Sequence, residues 1–143
     1  MNNKEIALIP YLNFQGNCEE ALTAYRKILG GSIEIIERYD NPAMQAPEEY
    51  RDKVLHARYR FSDNEVYASD VFPGQTLGDS RNVAMSLSFA ELEKAKQAFA
   101  QLADGGTVNV PFEKQFWGAW HGNLMDKFGI YWMINFEVDP EAP

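Results

Sequence analysis

Two histidines are the side chains of this chain best suited to acid–base or metal chemistry, and each lies in a run that alternates polar with apolar residues. His56, Arg58 and Arg60 share one phase, against Leu55, Ala57, Tyr59 and Phe61 in the other. His121 and Asn123 share a polar phase against Trp120, Gly122 and Leu124. On a strand this puts His56 and Arg58 on one face, where they would meet an anionic or carbonyl-bearing ligand, with His56 also a candidate general base. The same alternation suits edge-strand residues that are hydrogen-bonded locally or solvated, because it shows two faces without saying which is wet. Tyr11 and Asn13 hold the polar phase of an earlier run, opposite Leu8, Leu12 and Phe14, and are further candidates to line a cleft. Asp70 and Asn135 stand at corresponding places in two later runs; they would either hydrogen-bond a ligand at a cleft mouth or only end a strand. Glu65 falls in a turn, where a solvated acid is the ordinary reading. Phe116, Trp117 and Trp120 form an aromatic cluster with room beside it at Gly118 and Gly122. Such a cluster suits core, dimer contact or ligand wall, the last with Trp117 or Trp132. No Ser-His-Asp spacing, phosphate loop or catalytic-cysteine signature is visible.

These residues must be positioned by a unit that the chain writes twice. Leu8, Pro10, Leu12 and Phe14 recur as Val83, Met85, Leu87 and Phe89, a shift of 75 positions. Gly30-Gly31 recurs as Gly105-Gly106 at the same shift, and Ser32-Ile33-Glu34-Ile35 as Thr107-Val108-Asn109-Val110. His56 answers to His121, and the run 66–71 to the run 131–136, at a shift of 65. Between the first strand and the double glycine, Cys18, Ala21, Leu22, Tyr25, Ile28 and Leu29 fall at helical spacing behind an Asn17–Glu20 capping pair. Leu92, Ala95, Phe99, Leu102 and Ala103 repeat that pattern at a shift of 74, and Ser88 with Glu91 offers a cap that would start the second helix early. Further strands are expected at 32–39, 54–61 and 65–71, and again at 107–112, 120–125 and 130–137, with hairpin turns at Asp63-Asn64 and Phe128-Gly129. The fold class is α+β: two βαβββ repeat units forming curved mixed sheets, with both helices on the outer face. The units are expected at about 5–73 and 81–138 of a single domain over 1–143. Residues 40–53 interrupt the first unit with two prolines and no apolar period, as a lid, an interface arm or a plain loop. The chain closes on an acidic tail from Glu137 to Pro143.

A chain of 143 residues with 45% hydrophobic and 13% aromatic content can bury a core. A net charge of −8 with scattered cations argues against a nucleic-acid partner. The first residues read as neither a signal peptide nor a membrane span, and Cys18 stands alone, which suits a reducing cytoplasm.

The paired strand-helix-three-strand plan resembles the vicinal oxygen chelate superfamily of glyoxalase I, bleomycin-resistance proteins and extradiol dioxygenases. Within it the chain is most similar to the PhnB-like group. The residues that carry the resemblance are Pro10-Tyr11-Leu12-Asn13-Phe14, Gly16-Asn17-Cys18-Glu19-Glu20-Ala21, Tyr25, Gly30-Gly31 and His56-Ala57. Late in the chain they are Phe116-Trp117-Gly118, Gly122, Asp126-Lys127-Phe128-Gly129 and Trp132-Met133-Ile134-Asn135. Some of this group carry a demethylubiquinone methyltransferase label, which the chain does not support, having no glycine-rich strand-to-helix turn for a nucleotide-like cofactor.

The resemblance implies a divalent metal held by His, Gln or Glu from the first and fourth strands of each unit. Carried over by strand register, those positions are Ile9, Ala68, Ala84 and Met133, all apolar. Neither they nor their immediate neighbours assemble three N or O ligands, so no metal and no other cofactor are expected. Three functions follow: a metal-free protein binding a small organic molecule, an enzyme with a relocated metal or a metal-free His56 base, and a structural dimer with a filled cleft. The first is favoured, with Tyr11, Asn13, His56, Arg58, Asp70, Trp117, His121 and Trp132 as ligand-binding candidates. A homodimer is expected, both from the resemblance and because a curved sheet would leave an apolar concave surface and open edges.

Overall fold

The computed structural model describes residues 5–137, so the expected acidic tail lies outside the described residues from position 138 onward. The chain divides between Leu77 and Gly78 into two compact units. Among the described residues the first unit holds β1 (Tyr11–Phe14), α1 (Cys18–Leu29), β2 (Ser32–Arg38), β3 (Val54–Phe61) and β4 (Asn64–Asp70). The second holds β5 (Met85–Phe89), α2 (Leu92–Ala103), β6 (Thr107–Lys114), β7 (Trp120–Met125) and β8 (Tyr131–Phe136). The sheets run β1-β4-β3-β2 and β5-β8-β7-β6. The βαβββ unit is therefore present twice. Its first strand pairs in parallel with its fourth and the other pairs are antiparallel, which makes both sheets mixed.

Alternation decides which face each helix covers. In β1 Leu12 and Phe14 are buried while Tyr11 and Asn13 are exposed. Ala57 and Tyr59 of β3 and Val66 and Ala68 of β4 are buried in the same way, and α1 covers them with Cys18, Ala21, Leu22 and Tyr25. The opposite face of this sheet carries Tyr11, Asn13, His56, Arg58, Tyr67 and Ser69. It is polar and aromatic, so the apolar concave surface expected of the first unit is absent. The sequence pattern places Leu8 in the first strand, but β1 begins at Tyr11 and Leu8 is exposed.

Both helices start where the 74-position shift places them, and α2 does not begin early: Ser88 stays in β5. The Asn17 side chain makes no cap on α1. Asp70 reaches across from the end of β4 instead, its Oδ1 accepting from the Gly16 and Cys18 amides at 2.8 and 2.9 Å. The second glycine of each pair is fixed by a crossing of chains. A Cβ on Gly31 would stand 2.0 Å from the Arg60 carbonyl oxygen, and one on Gly106 would stand 2.2 Å from that of Met125. Only glycine permits that approach.

The pairing registers correct the second shift. Leu12 pairs with Ala68 and Ala57 with Ala68 in the first unit; Leu87 pairs with Ile134 and Gly122 with Ile134 in the second. β3 and β7 are thus related by 65 positions, as His56 and His121 suggest, but β4 and β8 are related by 66. The extra residue sits in the second hairpin: Arg60 pairs with Glu65, whereas Met125 pairs with Tyr131. Asp126 holds this longer turn. Its Oδ1 accepts from the Phe128 and Ile130 amides and its Oδ2 from the Trp132 indole at 2.8 Å. A slip of one residue exchanges the two faces of a strand, so every correspondence drawn from 65 for the last strand changes face.

Residues 40–53 fold back on their own unit. They form two short 3-10 turns, Pro42–Met44 and Glu48–Tyr50, with Ala46 buried. The Tyr39 hydroxyl donates to the Asp70 carbonyl at 2.7 Å and the Tyr50 hydroxyl donates to the Val71 carbonyl. The Tyr39 ring meets those of Tyr50 and Phe72 edge-on.

Candidate binding face of the first unit

Three of the candidate residues meet on the helix-free face of the first sheet. The Tyr11 hydroxyl lies 3.0 Å from His56 Nδ1, and the two rings stack with centroids 5.7 Å apart. Tyr67, which sequence reasoning did not select, completes the corner. It pairs directly with both Tyr11 and Arg58, and its ring stands edge-on to His56 at 5.0 Å and to Tyr11 at 6.1 Å. The alternation Glu65, Tyr67, Ser69 carried that signal, because it is the phase of β4 opposite the apolar Val66 and Ala68. The Arg58 guanidinium lies 5.5 Å from the Tyr67 ring centroid. Asn13 sits one row further on, 3.5 Å from the Ser69 hydroxyl.

Arg58 is not a free cation. It pairs with Glu34 at 3.1 Å and with Glu65 at 3.4 Å, while Arg60 also holds Glu65 at 2.5 Å. A hydrogen bond with Tyr67 and these carboxylates raise its pKa further. Glu65 is therefore the hub of a charge network on β4 rather than a solvated turn residue. Two guanidinium groups facing two carboxylates leave this part of the face close to neutral.

Two other candidates serve the fold. Asp70 is 1% exposed; besides the two amides at the start of α1, its Oδ2 accepts from the Val54 amide at 2.9 Å. Its oxygens are spent on the backbone and it is removed from the ligand-binding set. Trp132 is 1% exposed with its indole N–H on Asp126, so it is core and not a ligand wall. The expected aromatic cluster divides: Trp120 packs on Phe112, which stacks on Phe99 of α2. Phe116 and Trp117 form an edge-on pair at the β6–β7 turn, with Phe116 97% exposed and Trp117 59% exposed.

His121 stands where His56 stands in the first unit, but its ring is engaged on both sides. Asn135 Nδ2 donates to Ser86 Oγ and to the Leu87 carbonyl, which turns Asn135 Oδ1 toward His121 Nδ1 at 2.8 Å. Nδ1 thus carries the hydrogen, and Nε2 accepts from Asn123 Nδ2 at 3.2 Å. By the corrected register Asn135 is the counterpart of Ser69, not of Asp70, and Asn123 is the counterpart of Arg58.

The donors present do not fit the superfamily's metal. Ala68 faces α1 while Met133 lies in the opposite phase of its strand, and Ile9 and Ala84 precede their strands, so those four positions share no face. The helix-free phases of β1, β4, β5 and β8 offer Tyr11, Asn13, Glu65, Tyr67, Ser69, Ser86, Ser88, Tyr131, Met133 and Asn135, with no imidazole among them and with the one carboxylate, Glu65, taken by Arg58 and Arg60. Among the described residues no group of three or more His, Cys, Asp or Glu could hold a metal ion. No described helix is long and apolar enough to cross a membrane.

A duplicated βαβββ unit of this kind defines the glyoxalase/bleomycin resistance/dioxygenase fold. The chain belongs to the PhnB-like family within it, whose model, described as 3-demethylubiquinone-9 3-methyltransferase, matches residues 6–135. It is 30% identical to Protein YjdN of Escherichia coli strain K12 over 90% of this chain and 93% of that one. Protein PA1353 from Pseudomonas aeruginosa superposes with a TM-score of 0.82 at 34% identity, covering 94% of this chain and 100% of the other. A putative 3-demethylubiquinone-9 3-methyltransferase, PhnB protein, from Bacillus cereus superposes with a TM-score of 0.80 at 22% identity, covering 92% and 99%. The same fold extends to a glyoxylase/bleomycin resistance protein/dioxygenase domain from Frankia, at TM-score 0.66 and 13% identity over 95% and 100% of the two chains.

Proposed function

We propose that this protein binds a small planar organic molecule on the helix-free face of its first sheet, without the metal of its superfamily. The observation that carries this reading is the corner formed by Tyr11, His56 and Tyr67. Two aromatic rings frame an imidazole whose Nε2 makes no hydrogen bond to any described residue, and Tyr11 is 46% exposed. Rings supply area for stacking and the imidazole supplies one directional contact, the combination by which small-molecule sites gain orientation. Asn13 and Ser69 extend the face with further hydrogen-bonding groups. Arg58 frames the site and, already paired, does not make it specific for anions.

Methyl transfer is not supported. A nucleotide-like methyl donor is commonly cradled by free amides at a glycine-rich turn into a helix. Here that turn is Gln15-Gly16-Asn17, and the Gly16 and Cys18 amides are already taken by Asp70. An enzyme using His56 as base is the second reading, and it requires the other tautomer, with the hydrogen on Nδ1 and the lone pair on the open Nε2. The lone Cys18, buried and reduced, accords with a cytoplasmic protein, which is the location proposed.

The test is ligand-observed NMR against a set of small aromatic compounds. The intact protein is expected to show binding that His56→Ala and Tyr11→Ala each weaken, with the circular dichroism spectrum unchanged. His121→Ala is expected to leave it intact. Binding that survives both first-unit substitutions would move the site elsewhere.

A further inference from the structure

The two symmetry-related histidines differ in which ring nitrogen carries the hydrogen, and that difference names what the first unit recognises. In the second unit the chain's own amides set His121 as the Nδ1–H form with an accepting Nε2. In the first unit Ser86 is replaced by Tyr11, Asn135 by Ser69 and Asn123 by Arg58. The Tyr11 hydroxyl is both a donor and an acceptor, and its hydrogen-bond partner among the described residues is His56 Nδ1. A phenol donates better than it accepts, so its hydrogen goes to the Nδ1 lone pair, and the hydrogen of the neutral imidazole sits on Nε2. His56 therefore points an N–H donor from its open side, where His121 presents a lone pair already covered by Asn123.

We propose that the first unit selects neutral, planar molecules bearing a carbonyl oxygen, held by the His56 Nε2–H with the ring seated against Tyr11 and Tyr67. A donor at Nε2 requires an acceptor on the ligand. Neutrality follows from the surroundings: Arg58 and Arg60 are matched by Glu34 and Glu65, so a carboxylate would gain no unpaired cation here. A cationic ligand would meet the imidazole N–H donor, and the nearby Glu34 and Glu65 carboxylates are already matched by Arg58 and Arg60. The second unit is its own counter-example, because Asn123 and Asn135 fill with protein amides the contacts that the first unit leaves to a ligand.

This inference rests on the binding face proposed above, and the experiment separates the two. Long-range 15N–1H correlation spectra of the intact chain are expected to show His56 as the Nε2–H form and His121 as the Nδ1–H form. Acetophenone, ethylbenzene and benzoate are then compared by chemical-shift titration as probes of similar ring size. Acetophenone is expected to bind about fivefold or more tightly than ethylbenzene, the ratio one neutral hydrogen bond contributes, and more tightly than benzoate. Tyr11→Phe, which removes the hydroxyl and keeps the ring, is expected to let His56 adopt both forms and to shrink that ratio toward one. Equal binding of acetophenone and ethylbenzene, preference for benzoate, or an Nδ1–H form of His56 would overturn the carbonyl assignment while leaving the face a binding site. Failure of every ring compound to perturb Tyr11, His56 or Tyr67 would take down the binding face and the assignment with it.

Discussion

Replacing Asp70 tests whether a residue that looks like site chemistry is the staple of the first unit. The carboxylate is buried and accepts three backbone N–H groups, from Gly16 and Cys18 on one oxygen and Val54 on the other, at 2.8–2.9 Å. It thereby ties the turn before α1 and the start of β3 to the end of β4. Asp70→Ala orphans those three amides, and at about 1–2 kcal/mol for each the loss is about 3–6 kcal/mol. Asp70→Asn keeps an oxygen for Gly16 and Cys18 but sets an amide N–H against that of Val54, for a loss of about 1–3 kcal/mol. A domain of this size has about 5–15 kcal/mol in total, so the alanine variant is close to unfolding at rest. Cys18 makes the assay specific to this unit: its side chain is 0% exposed, and burial together with the nearby Asp70 and Glu19 carboxylates pushes its thiol pKa upward. Labelling of Cys18 by a thiol reagent at pH 8 then requires the unit to open. The rate should rise about 10²–10⁴-fold in Asp70→Ala and about 10–100-fold in Asp70→Asn, since each 1.4 kcal/mol is a factor of ten. An alanine variant that labels within a few-fold of the parent would refute the staple.

Gly31→Ala and Gly106→Ala should each cost at least about 2 kcal/mol, because a Cβ meets backbone oxygen in both. Gly30→Ala, where a Cβ meets nothing and only the positive φ is strained, should cost about 1–2 kcal/mol; equal urea midpoints for the Gly30 and Gly31 variants would contradict the crossing geometry. Burial pushes the Tyr59 phenol up to about 12. The stability it contributes is complete below the unfolded-state value near 10 and is lost as pH rises through 12, by about 2–3 kcal/mol, and Tyr59→Phe should flatten that alkaline fall in urea titrations. Self-association is proposed for the exposed Val83, Val108, Val110, Phe116 and Trp117 of the second unit, and light scattering at micromolar concentration should give about twice 16.3 kDa. A mass of one chain would count against the dimer.

The architecture was legible because it is written twice and because alternation is a physical signal. Leu12 and Phe14 against Tyr11 and Asn13, or Ala57 and Tyr59 against Arg58, already divide each strand into a helix-covered and an open face. The double glycines were legible as stops, though their deeper cause, the carbonyl passing over Gly31 and Gly106, is a tertiary contact that no local pattern contains. Capping was misread for the same reason. Asn17 has the right type in the right place, yet the oxygen that satisfies the helix start comes from Asp70, 53 positions away in the chain. Burial likewise decided Trp132 and Asp70: a lone strand pattern cannot show that a buried indole finds Asp126, or that a carboxylate faces three amides.

The one-residue difference between the two hairpins shows why symmetry alone is a poor guide to chemistry. Aligning the last strands at 65 made Asp70 the partner of Asn135 and Ala68 the partner of Met133, each pair mixing a covered face with an open one. At 66 the open face reads Tyr11, Tyr67, Ser69 in one unit and Ser86, Met133, Asn135 in the other, around His56 and His121. The histidine is kept in place while its surroundings diverge. Where the neighbours became small amides and hydroxyls, they satisfy the imidazole internally and the unit needs nothing further. Where they became tyrosines and a paired arginine, they leave one nitrogen of the imidazole open beside two rings. Water can serve that nitrogen until a ligand displaces it, so the contact is available to a bound molecule at little cost to the fold. That availability is why the asymmetry of the two histidines, rather than their shared presence, points to the first unit.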